Sequence, residues 1–194
     1  MIDKNKFEKI KYEHGEYASW AIWADQGEKP KSNIGDLSVL DPEINTELLT
    51  LLKPEIIFVA LNFSRGEGIK KPFSNFHDKN PRGTDFKIRY AFKDSPFWGG
   101  YMTDIIKNFV ELKSKNLMNY LKKNKSFEKE NIKLFLKELN DLEVKNPTII
   151  AFGNDTYDII KRNIQGINIL KIPHYAHQIN KEKYRTQIQN ILKF

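Results

Sequence analysis

Three short polar clusters in this chain stand directly after apolar runs, and each carries side chains able to do chemistry. Asn62-Phe63-Ser64-Arg65 follows the run Glu55–Leu61, Thr103-Asp104 follows Tyr101-Met102, and His174-Tyr175-Ala176-His177 follows Ile167–Ile172. The first supplies an amide, a hydroxyl and a guanidinium, the second a carboxylate, the third two imidazoles. The run ending at Leu61 is continuous and β-rich, bounded by Pro54 and by a Gly-containing loop, as a strand buried on both faces should be. Ligands of open α/β sheets sit outside the carboxyl ends of such strands. Asn62 and its neighbours therefore read as the first wall of an active site. Each residue also has a structural alternative: Asn62 can satisfy backbone groups in a turn, Asp104 can cap a helix, and His174 and His177 can be surface histidines. The i, i+3 spacing of these two histidines suits a metal, but no third ligand lies near them, so none is expected.

The elements that must position these clusters follow from hydrophobic period. Residues 2–13 read as a short amphipathic helix, and His14–Trp23 as a flanking strand or packed turn on a sheet edge. Asp25–Asp41 reads as irregular loop and Asn45–Leu52 as a short helix. The segment from Gly66 to Gly100 is a long connection, with turn signals at Lys71-Pro72, Asn80-Pro81-Arg82-Gly83 and Ser95-Pro96. A short strand before Thr103 and a helix over Ile105–Val110 come next, with Thr103 or Asp104 as N-cap. A helix capped by Ser126 carries Ile132, Phe135, Leu136, Leu139 and Leu142 at 3.6-residue spacing. Thr148–Gly153 is a second buried strand, Asn154 or Asp155 caps the next helix, Ile167–Ile172 is a third strand, and a last helix shows Tyr184, Ile188, Ile191 and Leu192 on one face. Alternating strands and helices of this kind predict a three-layer α/β/α sandwich with a central, mainly parallel sheet of four to five strands. The chain reads as one domain over 1–194, with a flanking segment at 1–53 and a long aromatic and basic region at 66–100.

Composition narrows the chemistry. The chain has no cysteine, which removes a disulfide framework, a thiolate nucleophile, Cys-ligated zinc and iron–sulfur clusters. Hydrophobic residues make up 40% of the 194, enough for a globular core. No apolar stretch approaches the roughly 20 residues of a membrane span, and the N-terminus lacks the apolar core of a signal peptide; a cytoplasmic, monomeric protein is expected. A formal charge of +7 favours a polyanionic partner. Within 66–100, Phe73, Phe76, Phe86, Tyr90, Phe92, Phe97 and Trp98 interleave with Lys70, Lys71, Lys79, Arg82, Lys87 and Arg89. That pattern suits either a surface that stacks bases and meets phosphates or a loop pinned by its own aromatic minicore.

From about Pro54 to the C-terminus the chain resembles the uracil-DNA glycosylase superfamily. That family's first motif is a strand ending in Gly-x-Asp-Pro-Tyr or Gly-x-Asn-Pro-Gly; here Ala60-Leu61-Asn62-Phe63-Ser64 takes its place. The strand Ile149–Phe152 followed by Gly153-Asn154-Asp155-Thr156-Tyr157 is similar to the family's apolar strand, Gly and helix. Its last motif, usually His-Pro-Ser, appears as His174-Tyr175-Ala176. Phe63 and Tyr175 replace the prolines of the two motifs.

The resemblance implies a monofunctional DNA glycosylase without cofactor, acting on duplex or single-stranded DNA. In that role Asn62 positions the attacking water and His174 stabilises charge on the leaving base. Phe63, Phe76, His77, Thr103 and Asp104 surround the flipped base. Ser64, Arg65, Lys70, Lys71, Arg82, Tyr175 and His177 hold phosphates. Where uracil-specific members read the base with an Asn, this chain has Thr103 or Asp104. A carboxylate accepts hydrogen bonds and suits the exocyclic amine of a modified cytosine better than uracil's carbonyl. Such an enzyme would serve base-excision repair or defence against phage with modified DNA. The rivals are a non-catalytic nucleic-acid-binding module on the same fold and a hydrolase or transferase of free nucleosides.

Overall fold

The computed structural model describes residues 2–63, 71–80 and 82–194. In chain order its elements are α1 (Lys4–His14), β1 (Ser19–Trp20), α2 (Leu48–Leu51), β2 (Lys53–Asn62), α3 (Phe86–Phe92), β3 (Gly100–Ile106), α4 (Ser114–Lys123), α5 (Lys125–Asp141), β4 (Thr148–Phe152), α6 (Asn154–Asn163), β5 (Asn168–Ile172) and α7 (Lys181–Leu192). The five strands form one sheet in the order β1-β3-β2-β4-β5. All neighbours are parallel except β1, which runs antiparallel to β3. The α/β three-layer architecture expected from the hydrophobic pattern is the one observed.

Alternation along the strands sorts the core into two layers. Ile57, Val59, Tyr101, Ile105, Ile149 and Ala151 face the layer built by α1, α4, α5 and α6. Phe58, Ala60, Met102, Ile150 and Phe152 face the layer built by α3 and α7. The chain leaves β2 towards β3 on one side and later returns to β4 on the other. The carboxyl ends of β2 and β4 thus flank the topological switch point, the place where open α/β sheets bind ligands.

Several boundaries differ from expectation. Ile105 and Ile106 belong to β3, and no helix covers 105–110; Thr103 and Asp104 lie inside a strand and cap nothing. The apolar spacing of Ile105, Ile106, Phe109 and Val110 fits a helix in isolation, but pairing with β2, with Asn62 opposite Ile106, holds the first two extended. Helix α3 lies within the Gly66–Gly100 segment expected as a long connection, and α4 in a stretch for which no element was expected. The cap of α5 is Asn124, not Ser126, and that of α6 is Gly153, not Asn154 or Asp155. Leu136 and Ile191, assigned to buried faces, stand at 42% and 40% exposure.

Thr103 and its neighbours close a buried polar network on the α5 side of the sheet. Glu138 is 1% exposed and its carboxylate pairs with Lys107 Nζ at 2.7 Å. It also accepts hydrogen bonds from the Tyr101 hydroxyl at 3.1 Å and the Thr103 hydroxyl at 3.0 Å. Lys107 Nζ in turn donates to Thr103 Oγ1 and to the Asp104 carbonyl. Burial first, and then the Glu138 carboxylate, push the Tyr101 phenol well up, so it remains a neutral donor. Removing one partner of a buried charge pair strands the other. Glu138→Ala is expected to destabilise the fold by about 3–5 kcal/mol, read as a lower urea midpoint at unchanged slope; a midpoint equal to wild type would refute that role.

Candidate functional site

The polar residues that end the strands meet in one cleft on the α3/α7 side of the switch point. One lobe, of about 490 Å³, is lined among others by Asn62, Phe63, Phe76, Arg82, Asp104, His174 and Tyr175. A second lobe of about 520 Å³ shares Asn62, His174 and Tyr175 and extends to His177 and the start of α6. Asn62 and His174 stand at the seam between the two.

Asn62 is the last residue of β2 and the first polar one after the buried run Ile57–Leu61. Its Nδ2 points at three backbone carbonyls, those of Phe63 (3.0 Å), Phe109 (3.1 Å) and Glu111 (2.9 Å). The amide therefore clamps the loop between β3 and α4, and with Nδ2 committed its Oδ1 is the atom left to accept from a ligand. An oxygen held in this way can accept a hydrogen bond from a water O–H and fix that water's orientation.

His174 follows β5 by two residues and stacks on Tyr175, ring centroids 4.4 Å apart. Tyr175 packs edge-on against Phe152, the last residue of β4. The backbone N–H of Ala176 donates to His174 Nδ1 at 3.1 Å, which assigns the proton of a neutral ring to Nε2. Desolvation first, and then the nearby His177, lower the His174 pKa from 6.5 to about 4. At neutral pH the ring is thus an uncharged N–H donor. Such a donor can bond an oxygen or nitrogen that gains negative charge without first having to lose a proton itself.

Asp104 faces the cleft because it alternates with Thr103 along β3. Its neighbour on β2 is Ala60, whose small side chain leaves room for the carboxylate. Asn75 holds it, donating from Nδ2 to Asp104 Oδ2 at 2.9 Å and to the Tyr17 carbonyl at 2.8 Å. The Oδ1 of Asn75 accepts from the N–H of Phe76 at 3.1 Å, across a backbone that turns through φ +64° at Phe76. An aromatic residue in that left-handed region is costly, and the Asn75 bonds hold it there.

Not every expected site residue arrives. Thr103 is fully buried on the opposite face, within the Glu138 network, so it does not reach a base. His77 is 4% exposed and outside the cleft: its ring stacks on Trp23 at 5.2 Å, and its nitrogens face the carbonyls of Asn75 and Ile22. Phe76, also buried, forms a wall of the cleft rather than an open stacking platform. Lys71 and Arg82 are exposed, Arg82 on the cleft itself. Ser64, Arg65 and Lys70 lie outside the described residues. Lys87 and Arg89 are buried and bond carbonyls, Lys87 that of His177 and Arg89 those of Ala24, Ser32 and Pro30. They cannot also meet phosphates, and around them the minicore alternative holds.

Three cleft residues had no signal that stood out. Asn75 was one amide in a polar turn. Leu112 stands 82% exposed at the mouth of both lobes; an apolar residue in the lysine-rich stretch Glu111–Lys115 was its only mark. Thr156 lines the second lobe from the first turn of α6, 1% exposed, and its hydroxyl has no partner among the described residues. Comparison with protein-family models, curated proteins and solved structures finds no match to this chain; the site's own chemistry carries the functional assignment.

The His174 environment has a direct readout. Because the folded-state pKa lies below the unfolded value, the unfolded chain takes up this proton first as the solution is acidified. The contribution of His174 is fully present above about pH 6.5 and is lost progressively between there and about pH 4. Imidazole NMR shifts should show a neutral Nε2–H tautomer at pH 7 that titrates near 4; a midpoint near 6.5 would show the ring to be solvated.

Proposed function

We propose that this protein is a monofunctional DNA glycosylase that hydrolyses the N-glycosidic bond of a base flipped into the cleft and leaves an abasic site. The observation that carries the proposal is the pairing of a fixed amide, Asn62, with a neutral imidazole donor, His174, at the seam of one cleft on the switch point. Glycosidic cleavage passes through an oxocarbenium-like sugar. The departing base takes the bonding electrons, water adds to the sugar carbon, and the proton that this water loses passes to solvent or to the departed base anion. His174 Nε2–H would hydrogen-bond the base as its negative charge develops. Asn62 cannot take the proton of water as a strong base, but an oriented water suffices once the bond has largely broken.

Flipping a base costs roughly a few kcal/mol. Tyr175 stands at the cleft wall, stacked on His174, and Leu112 at the mouth is the type of side chain that enters a stack beside a displaced base. Arg82, on the rim, would meet a phosphate. The Asp104 carboxylate favours a base with an exocyclic amine, so we take a modified cytosine as substrate in preference to uracil. Either genome repair or defence against phage with modified DNA would use such a reaction.

The clamp that Asn62 places on the loop at 109–111 also favours a second reading, in which the residue is purely structural and the protein is a nucleic-acid-binding module. Incubation with duplexes and single strands carrying uracil, hypoxanthine, hydroxymethylcytosine or glucosylated hydroxymethylcytosine, followed by alkali cleavage, separates the two. Release of one amine-bearing base, abolished in Asn62→Ala, is the expected result. Asp104→Asn should shift preference towards uracil by about tenfold or more, the value of one mismatched base-edge contact. DNA binding without release of any base would leave the binding module, and good activity on uracil alone would overturn the choice of substrate.

A further inference from the structure

Beside the cleft, a second groove of about 600 Å³ runs between α3 and the start of α7. Phe86 and Ile179 contribute its apolar surface, and Lys29, Lys31 and Lys181 stand around it; Glu182, the one carboxylate among the described residues that line it, pairs with Lys181 at 3.4 Å. Phe86 and Tyr90 lie four residues apart on α3, hence on one face of the helix and about 5–6 Å from each other at Cβ. Both rings are half-buried, and both lie under cations. Lys31 Nζ is 5.3 Å from the Phe86 centroid; over Tyr90, Lys181 Nζ is at 4.0 Å and the Arg185 guanidinium at 5.4 Å.

The groove continues from the cleft on both sides. Thr84 and Asp85 line the cleft and Phe86 the groove. Lys87 donates to the His177 carbonyl at 2.7 Å, and Ile179, two residues on, lines the groove. A strand whose one nucleotide occupies the cleft has this groove as its neighbouring channel.

We infer that the groove, together with the next turn of α3 beyond its lining, where Tyr90 lies under Lys181 and Arg185, binds single-stranded nucleic acid, with successive bases on the Phe86 and Tyr90 rings and phosphates on Lys29, Lys31, Lys181 and Arg185. Each ring-and-cation pair answers the two parts of a nucleotide, a π face for the base and a positive charge for the phosphate. A phosphate can draw a cation off a ring and its base can take the ring face, whereas an acidic peptide offers charge and no plane to stack, so the nucleic acid is the occupant that uses the whole surface. This extends the nucleic-acid reading of the cleft, but it is a statement about binding and not about bond cleavage.

The test is fluorescence anisotropy of the full chain with a labelled oligothymidine, which carries no substrate base, over a salt series. Lys29→Glu/Lys31→Glu is expected to weaken binding about tenfold or more. It should also flatten the slope of log affinity against log salt by about 1.4, at roughly 0.7 per single-strand phosphate contact. Lys122→Glu/Lys123→Glu, the same charge change on α4, should leave both unaltered. Phe86→Leu keeps the apolar floor, loses the π face, and should weaken binding at least about fivefold. Equal affinity and slope in the groove and control variants would overturn the inference, as would a polyglutamate peptide that competes as well as unlabelled oligothymidine. Base release assayed in parallel keeps the two proposals apart: binding without release would sink only the glycosylase, and release without groove-dependent binding only the groove.

Discussion

β2 is covered on both faces, and that constraint decides where chemistry can occur in this protein. A strand with helices above and below can carry no unpaired polar side chain along its length, and Ile57–Leu61 carries none. The first polar side chain after that buried run is Asn62, at the carboxyl end, where the helix layers part. Because β3, β4 and β5 run parallel to β2, their own ends arrive at the same rim. The cleft is thus a product of strand direction: the layers that exclude water from the sheet also deliver an amide, a carboxylate and an imidazole to one edge.

Around that rim, polar groups are held by other polar groups, and the partners differ by side of the sheet. Thr103 and Asp104 are consecutive, so the pleat sends one to each face. Thr103 joins the buried Lys107–Glu138 pair, which bonds the β3 backbone at the Asp104 carbonyl. Asp104 turns into the cleft, where Asn75 binds its carboxylate. The backbone of one residue is therefore fixed from behind and its side chain from in front. Asn62 does the converse: its own side chain fixes the backbone of the loop that presents Leu112. Such mutual support restricts rotamers before a ligand arrives, which is what a preorganised site requires.

His174 shows how a fold can choose the protonation state of a side chain. The ring is stacked on Tyr175, close to His177, and its Nδ1 is occupied by a backbone N–H. Desolvation disfavours the imidazolium, and the bond to Nδ1 selects the tautomer. The same ring on an open loop would titrate near neutrality and present either nitrogen. Its value as a neutral donor comes from its surroundings.

The sequence by itself determined the layers and the places of the catalytic candidates. Continuous apolar runs at Ile56–Leu61 and Ile149–Phe152, separated by helical periods, leave little alternative to a mainly parallel sheet, and parallel strands bring their carboxyl ends together. Asn62, Asp104 and His174 could be named for that reason. Local pattern could not tell β3 from a helix, because Ile105, Ile106 and Phe109 suit both periods and only pairing with β2 selects the extended one. Nor could it say that Asp104 faces the cleft while Thr103 faces a buried ion pair, since the absolute sense of an alternation is set by what packs on each side. The roles of Asn75, Leu112, Lys87 and Arg89 were decided by tertiary structure alone: each depends on a partner or an opening 29 to 90 residues away in the chain, or on the position of a loop relative to a cleft, and no local spacing encodes either.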